Sequence, residues 1–198
     1  MDVTVELWFD GYMEKNDFIL LADEPILDFV NTLIHHEKHQ TESLSSPDAA
    51  RSFFETVFGS RPVFDAKSLR QLIRIREQMS VFFLRHLKYS KQSERSSKLF
   101  ALFDSSKFKY TIEVSRKLGH EKFSLIIQPT IKSESLKFVI QKFFDFLMSA
   151  NPERIKKCKS KTCSHLFYDR TKSNSRVWCM MNSCGNLAKV RKFRKKIE

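Results

Sequence analysis

A chain of 198 residues that is 41% hydrophobic, with 19 Phe but only 4 Gly and 5 Pro, has material for a packed core and too few breakers for a disordered or loop-built protein. No stretch approaches the roughly 20 apolar residues of a membrane span, and the acidic, mixed opening MDVTVELWFDGYMEKND is unlike a secretory signal. The reading is a soluble, cytoplasmic protein with no membrane partner, whose four cysteines stay reduced. Of the net charge of +12, almost nothing comes from residues 1–150, where 21 Lys and Arg face 20 Asp and Glu; residues 151–198 hold 14 against 3, and all four cysteines.

In chain order, Phe18–Leu21 is a short apolar run that predicts a strand. Pro25 opens a predicted helix to Ile34, with Ile26, Leu27, Phe29, Val30 and Leu33 at helical spacing. On that segment the polar residues Asp28, Asn31 and Thr32 share a face. They either line an effector pocket or tie the helix to the neighbouring strand. His35, His36 and His39 follow without an acidic partner and are not taken as a metal site. Ser46-Pro47-Asp48 predicts the start of a helix that ends at Gly59. Asp65 to Tyr89 is the longest predicted helix, with Leu69, Leu72, Ile73, Ile75, Met79, Phe82, Phe83 and Leu87 as its apolar face; Arg70, Arg74, Arg76 and Arg85 are expected on its solvated side.

A shorter helix is predicted over Ser93–Phe103, then a β-hairpin from Phe108–Ser115 and Phe123–Gln128 about the turn Leu118-Gly119-His120. Ser133–Ala150 returns to helical spacing, and Asn151-Pro152 breaks it. The predicted fold is mainly α with a small antiparallel β element (α+β) in an N-terminal domain, residues 1–151. A small metal-bound module, residues 152–198, follows with its own β-hairpin and a basic helix.

The module carries Cys158-x4-Cys163 and, fifteen residues on, Cys179-x4-Cys184. Two short-spaced pairs of thiolates are the layout of a structural zinc site, one zinc per chain. Filled by four cysteines, it leaves no open position for catalysis. Two disulfides or an iron–sulfur cluster are the alternatives, and His165 beside Cys163 is a spare nitrogen ligand. A tail of this length gains its fold from the metal. Leu166–Tyr168 and Val177–Trp178, flanking Asp169–Arg176, predict a hairpin, with Trp178 either in the core or stacked on a base. Gly185 is expected to permit a tight turn, and Asn186 to cap a helix over about Leu187–Ile197. Leu187, Val190, Phe193 and Ile197 make a narrow apolar stripe expected to pack down; Lys189, Arg191, Lys192, Arg194, Lys195 and Lys196 cover the rest. With Arg170, Lys172 and Arg176 of the hairpin, these cations are the candidate phosphate contacts.

Leu166-Phe167-Tyr168-Asp169, Arg176-Val177-Trp178-Cys179 and Cys184-Gly185-Asn186, set on two Cys-x4-Cys pairs, resemble the CGNR zinc finger. Leu27-Asp28-Phe29-Val30-Asn31-Thr32 and the Leu69–Arg76 stretch resemble the ABATE domain that usually precedes it. The resemblance implies a bacterial, stress-linked transcription regulator whose finger binds double-stranded DNA, with a small-molecule effector and a homodimer as further expectations. The family's name-giving Arg is Leu187 here, which removes one candidate base contact without touching a metal ligand. RNA binding, or a protein-interaction module stapled by zinc, is the alternative. No Ser-His-Asp or Cys-His pairing and no phosphate-binding glycine loop is evident, so no enzyme is expected.

Overall fold

The computed structural model describes residues 18–36, 39–86, 110–117, 120–127 and 133–194. Among these residues it is mostly helical with three two-stranded antiparallel sheets. The chain forms two compact units. One joins the residues up to Arg61 with those from Arg154 onward, and the other is Pro62–Glu153. The second junction falls two residues from the expected boundary at 151/152, and the module after it is grouped with the N-terminal residues.

In the discontinuous unit, α1 (Pro25–Val30) is short, and its residues from Ile26 onward are buried. The predicted helix to Ile34 stops at Asn31, because the next polar side chains are committed elsewhere. The Asn31 amide donates Nδ2–H to the Leu166 carbonyl at 2.8 Å and accepts from Leu166 N at 3.0 Å. Thr32 Oγ1 donates back to the Phe29 carbonyl at 2.8 Å. The chain then turns into a hairpin absent from the sequence reading, β1 (Leu33–His36) against β2 (His39–Glu42). The expected strand at Phe18–Leu21 does not form. That segment runs irregularly beside the C-terminal module instead, and the Ala22 carbonyl accepts from Tyr168 N at 2.8 Å.

Helix α2 (Pro47–Phe58) begins and ends as its sequence demands. Ser46 accepts from Ala49 N, Pro47 takes the first turn, and Gly59 closes the helix at φ 64°, a left-handed conformation strained for any residue with a Cβ. Phe29 of α1 packs on Phe53 and Phe54 of α2, with ring centroids 6.3 and 6.2 Å apart. These rings are the unit's aromatic core.

In the other unit, α3 (Ala66–His86) is started by Asp65 and Ser68, which cap each other's backbone amides. The hairpin β3 (Tyr110–Lys117) with β4 (His120–Ile127) forms in the register Tyr110↔Ile127 to Lys117↔His120. Helix α4 (Glu134–Ser149) sets Phe143 5.6 and 5.5 Å from Phe82 and Phe83 of α3. The predicted helix over Ser93–Phe103 lies outside the described residues. Arg70 and Arg74 are exposed as expected. Arg76 is not. It is 1% exposed, with one guanidinium nitrogen 2.7 Å from Glu77 Oε1. Its position explains this: Leu69, Leu72, Arg76, Met79 and Phe83 step by three and four along one buried seam. Among the described residues no helix is long and apolar enough to cross a membrane.

Asp28 is 8% exposed and accepts from Ala22 N at 2.9 Å. Burial pushes its carboxyl from 3.8 up to about 7, against the pull of the Ala22 and Leu21 amides. A carboxyl whose folded value is raised favours the folded state fully only below its unfolded value. Its contribution is therefore lost between about pH 4 and 7. Asp28→Asn keeps the acceptor and removes the charge. It should raise stability at pH 8 by on the order of 3 kcal/mol, with the gain gone at pH 4, as thermal melts at the two pH values would show.

Candidate metal centre

The C-terminal module is built on a three-residue ladder. β5 (Ile155–Lys157) pairs with β6 (Leu166–Tyr168), so the partner of β6 is the strand before the first cysteine and not Val177–Trp178 as the sequence suggested. Val177 instead holds the first cysteine loop, its carbonyl accepting from Lys159 N at 3.0 Å. Phe167 pairs toward β5, which turns the backbone groups of Leu166 and Tyr168 to the other edge. Asn31 and Ala22 close that edge, so the module is stitched to the N-terminal residues by backbone-type hydrogen bonds.

The two cysteine loops meet over Phe167, which is fully buried beneath the cluster. Cys158 N donates to the His165 carbonyl at 2.8 Å, placing Cys158 at the end of β5 and Cys163 across from it. Cys179 leads into a tight π-type turn, Met181–Gly185, which brings Cys184 back. Gly185 sits close under the side chains of Met181, which is 55% exposed, and Trp178, and its backbone is not left-handed. A Cβ on it would lie 2.5 Å from Met181 Sδ and 3.3 Å from Trp178 Cδ1. Trp178 is thus packed in the module, against both the turn and the cysteine cluster.

All four Sγ atoms lie within 4.8 Å of one another and all four residues are buried. Cys163 Sγ is 3.8 Å from Cys179 Sγ, which is 3.7 Å from Cys184 Sγ. A tetrahedron with Zn–S bonds of about 2.3 Å has edges of about 3.8 Å, whereas a disulfide needs sulfurs about 2.05 Å apart. The donor set fits one zinc ion. The thiols also need a cation electrostatically. Hydrogen bonds from Cys163 and Cys179 pull Cys158 down to about 6, whereas Cys163 and Cys179 are pushed above the ordinary thiol range, first by their hydrogen bonds to Cys158 and then by burial. Thiolate neighbours this close can ionise together only around a metal. His165 is buried with Nδ1 3.6 Å from Cys163 Sγ, a contact that orients the ligand from outside the four-sulfur shell.

The same residues are similar to a known family, the CGNR zinc finger. Residues 154–196 match the model of that family. No curated protein matches the chain.

Asp169 is the finger's internal hub. It is fully buried, and its carboxylate accepts from Lys156 Nζ at 2.7 Å, Thr171 Oγ1 at 2.6 Å, Thr171 N at 2.9 Å and Arg176 N at 2.8 Å. Burial opposes its charge, but Lys156, Thr171 and the amide donors outweigh it and hold the carboxyl below the usual range. Lys156 also donates to the Asn174 and Arg176 carbonyls, which shapes the loop between them.

Of the residues expected at phosphate, Arg176 is turned toward the protein. Arg176 donates to the Trp178 carbonyl at 3.0 Å, the Leu21 carbonyl at 2.9 Å, the Cys179 carbonyl and Asp23 Oδ2, and its guanidinium lies 4.4 Å above the Phe167 ring. It staples the second cysteine loop to the N-terminal segment. Arg170 bonds the Asp23 carbonyl at 2.8 Å and Glu24 at 2.9 Å while its side chain stays 58% exposed. Asp28, Asn31 and Thr32, expected as pocket residues or ties, have backbone groups as hydrogen-bond partners, which is the geometry of ties. No signal within the finger's sequence marked Asp23 or Asn31 as its anchors; each lies more than 130 residues from its partner.

Helix α5 (Asn186–Arg194) leaves directly from the last cysteine loop. Asn186 is its first residue and not its cap, with Nδ2 3.3 Å from the Asn182 carbonyl. Asn186, Leu187 and Ala188 are half-buried, and every residue from Lys189 to Arg194 is exposed. The expected apolar stripe is therefore anchored only at Leu187; Val190 is 46% and Phe193 65% exposed. Lys172 is exposed on the loop after Asp169, and Lys195 and Lys196 lie outside the described residues.

Two outcomes follow for the metal centre. Metal analysis of the purified chain should find one zinc, and Cys179→Ser should lose it to a chelator that wild type resists. Asp169→Ala leaves Lys156 without its buried partner and should destabilise the finger by about 3–5 kcal/mol, measured by thermal melting in excess zinc; a loss under 1 kcal/mol would contradict the hub role.

Proposed function

We propose that the protein is a DNA-binding transcription regulator, a binding protein and not an enzyme, whose zinc finger presents α5 to the phosphate backbone. The observation that carries this reading is the helix itself. Its described residues hold Lys189, Arg191, Lys192 and Arg194 and no acid, all exposed, on a helix whose first turn is held by the metal loop. A rigid display of cations loses little conformational entropy on meeting a polyanion, and the release of counterions supplies affinity. Lys172 adds a fifth exposed cation from the neighbouring loop. Arg176, turned inward over Phe167, contributes by fixing the finger, and Arg170, 58% exposed, stays among the cations open to phosphate. The N-terminal residues anchor the finger through Asn31, Ala22 and Asp23, and this is the route by which an event in that unit would alter DNA binding.

Neutralising about five phosphates gives a slope of log K against log salt of about −4 to −5 on duplex DNA. The measurement is a salt titration of the zinc-loaded chain. A slope near zero, or tighter binding to structured RNA than to any form of DNA, would overturn the assignment. Lys189→Glu with Lys192→Glu should weaken binding at least tenfold without loss of zinc.

A further inference from the structure

Phosphate binding explains the cations of α5 but not the residues between them. Phe193 is 65% exposed and Val190 46% exposed, in a molecule that buries Phe29, Phe53, Phe54, Phe83, Phe143 and Phe167 almost completely. On a helix, residues three and four apart are neighbours. Lys189 therefore borders Phe193, Phe193 borders Val190, and Val190 borders Arg194. Around the helix the order is Lys189, Phe193, Val190, Arg194: an aromatic and a β-branched side chain with a cation on each side. Neither apolar residue can hydrogen-bond a base edge in a duplex groove, where the strip could touch only a thymine methyl. A phenyl ring 65% exposed, on a strip bordered on each side by a cation, has the chemistry of a stacking platform for a nucleobase.

We infer that α5 takes single-stranded nucleic acid, with an unpaired base stacked on Phe193 beside Val190 and the flanking phosphates on Lys189 and Arg194. The inference rests on the DNA-binding reading and names the form of the polymer. Charge selects the partner: the strip is apolar but cation-bordered, so a polyanion with exposed aromatic faces matches it and a neutral apolar surface does not. The short rigid helix also suits a flexible strand, which can bring base and phosphate to it together.

The test compares the zinc-loaded full chain with Phe193→Ala, Phe193→Leu and Phe193→Trp on a thymidine 12-mer and on a 12-base-pair duplex at one fixed salt concentration. Wild type should bind the single strand more tightly than the duplex. Phe193→Ala should weaken single-strand binding roughly 5- to 100-fold and duplex binding less than about twofold. Phe193→Leu should lose nearly as much, because it keeps apolar area without a ring. Phe193→Trp should retain binding, with its added fluorescence quenched by the single strand. Zinc content serves as the control that each variant is folded. Tighter duplex binding, equal losses on both DNAs, or no loss in Phe193→Ala would overturn the stacking while leaving DNA binding intact. Self-association of wild type that Phe193→Ala abolishes, without change in single-strand affinity, would show a second copy of the chain on this face and would also overturn it. Absence of binding to either DNA would overturn both readings.

Discussion

Four buried sulfurs within 4.8 Å of one another are the constraint on which the finger depends. Thiols so placed cannot all carry charge without a cation, and a four-sulfur tetrahedron around one zinc removes the conflict. The consequences spread outward from there. Zinc held by these cysteines would close two loops that share no strand with each other above Phe167, at the point from which α5 departs. A helix of nine residues would be marginal alone in water. Here its first turn continues a turn already fixed by Cys184.

Around the metal, charge is used for architecture before it is used for display. Asp169 is ionised in full burial because Lys156, Thr171 and the Arg176 amide surround it. Arg176 then reaches from the same loop to Leu21 and Asp23. Buried charges of this kind specify one arrangement more than they add net stability, since a pair costs desolvation and a broken pair costs more. The finger is held as one piece with the N-terminal residues by these contacts and by the Asn31 amide, which occupies the open edge of β6 as a third strand would.

The division of labour among cations was only partly legible beforehand. Arg170, Arg176 and Lys189 look alike in sequence, each a basic residue in a basic tail. Arg176 lies over Phe167 with its guanidinium turned inward, whereas Lys189 stands exposed on a helix turn. Similarly, Arg76 belongs by charge to a solvated face and by its three-four spacing to the seam of α3, and burial follows the spacing. The apolar stripe of α5 failed in the opposite sense. Its periodicity is helical, but the module is too small to offer a surface beyond Leu187, so Val190 and Phe193 remain in solvent.

Sequence by itself determined the elements whose causes are local. The Ser46 cap and Gly59 stop of α2, the hairpin about residues 118 and 119, and α4 from Ser133 are each written in a few adjacent residues. The metal ligands were equally legible, because zinc needs four thiolates in short-spaced pairs and the chain holds only four cysteines. Tertiary structure decided what depends on distant partners. It shortened α1 at Asn31, gave β6 the strand Ile155–Lys157 as its mate, turned Arg176 into an anchor, and left Phe193 exposed. The physical reason is one of range. A cap or a chelate loop closes within a few residues, whereas a polar side chain on a helix takes whichever partner folding brings to it, and no pattern in its own neighbourhood records that partner.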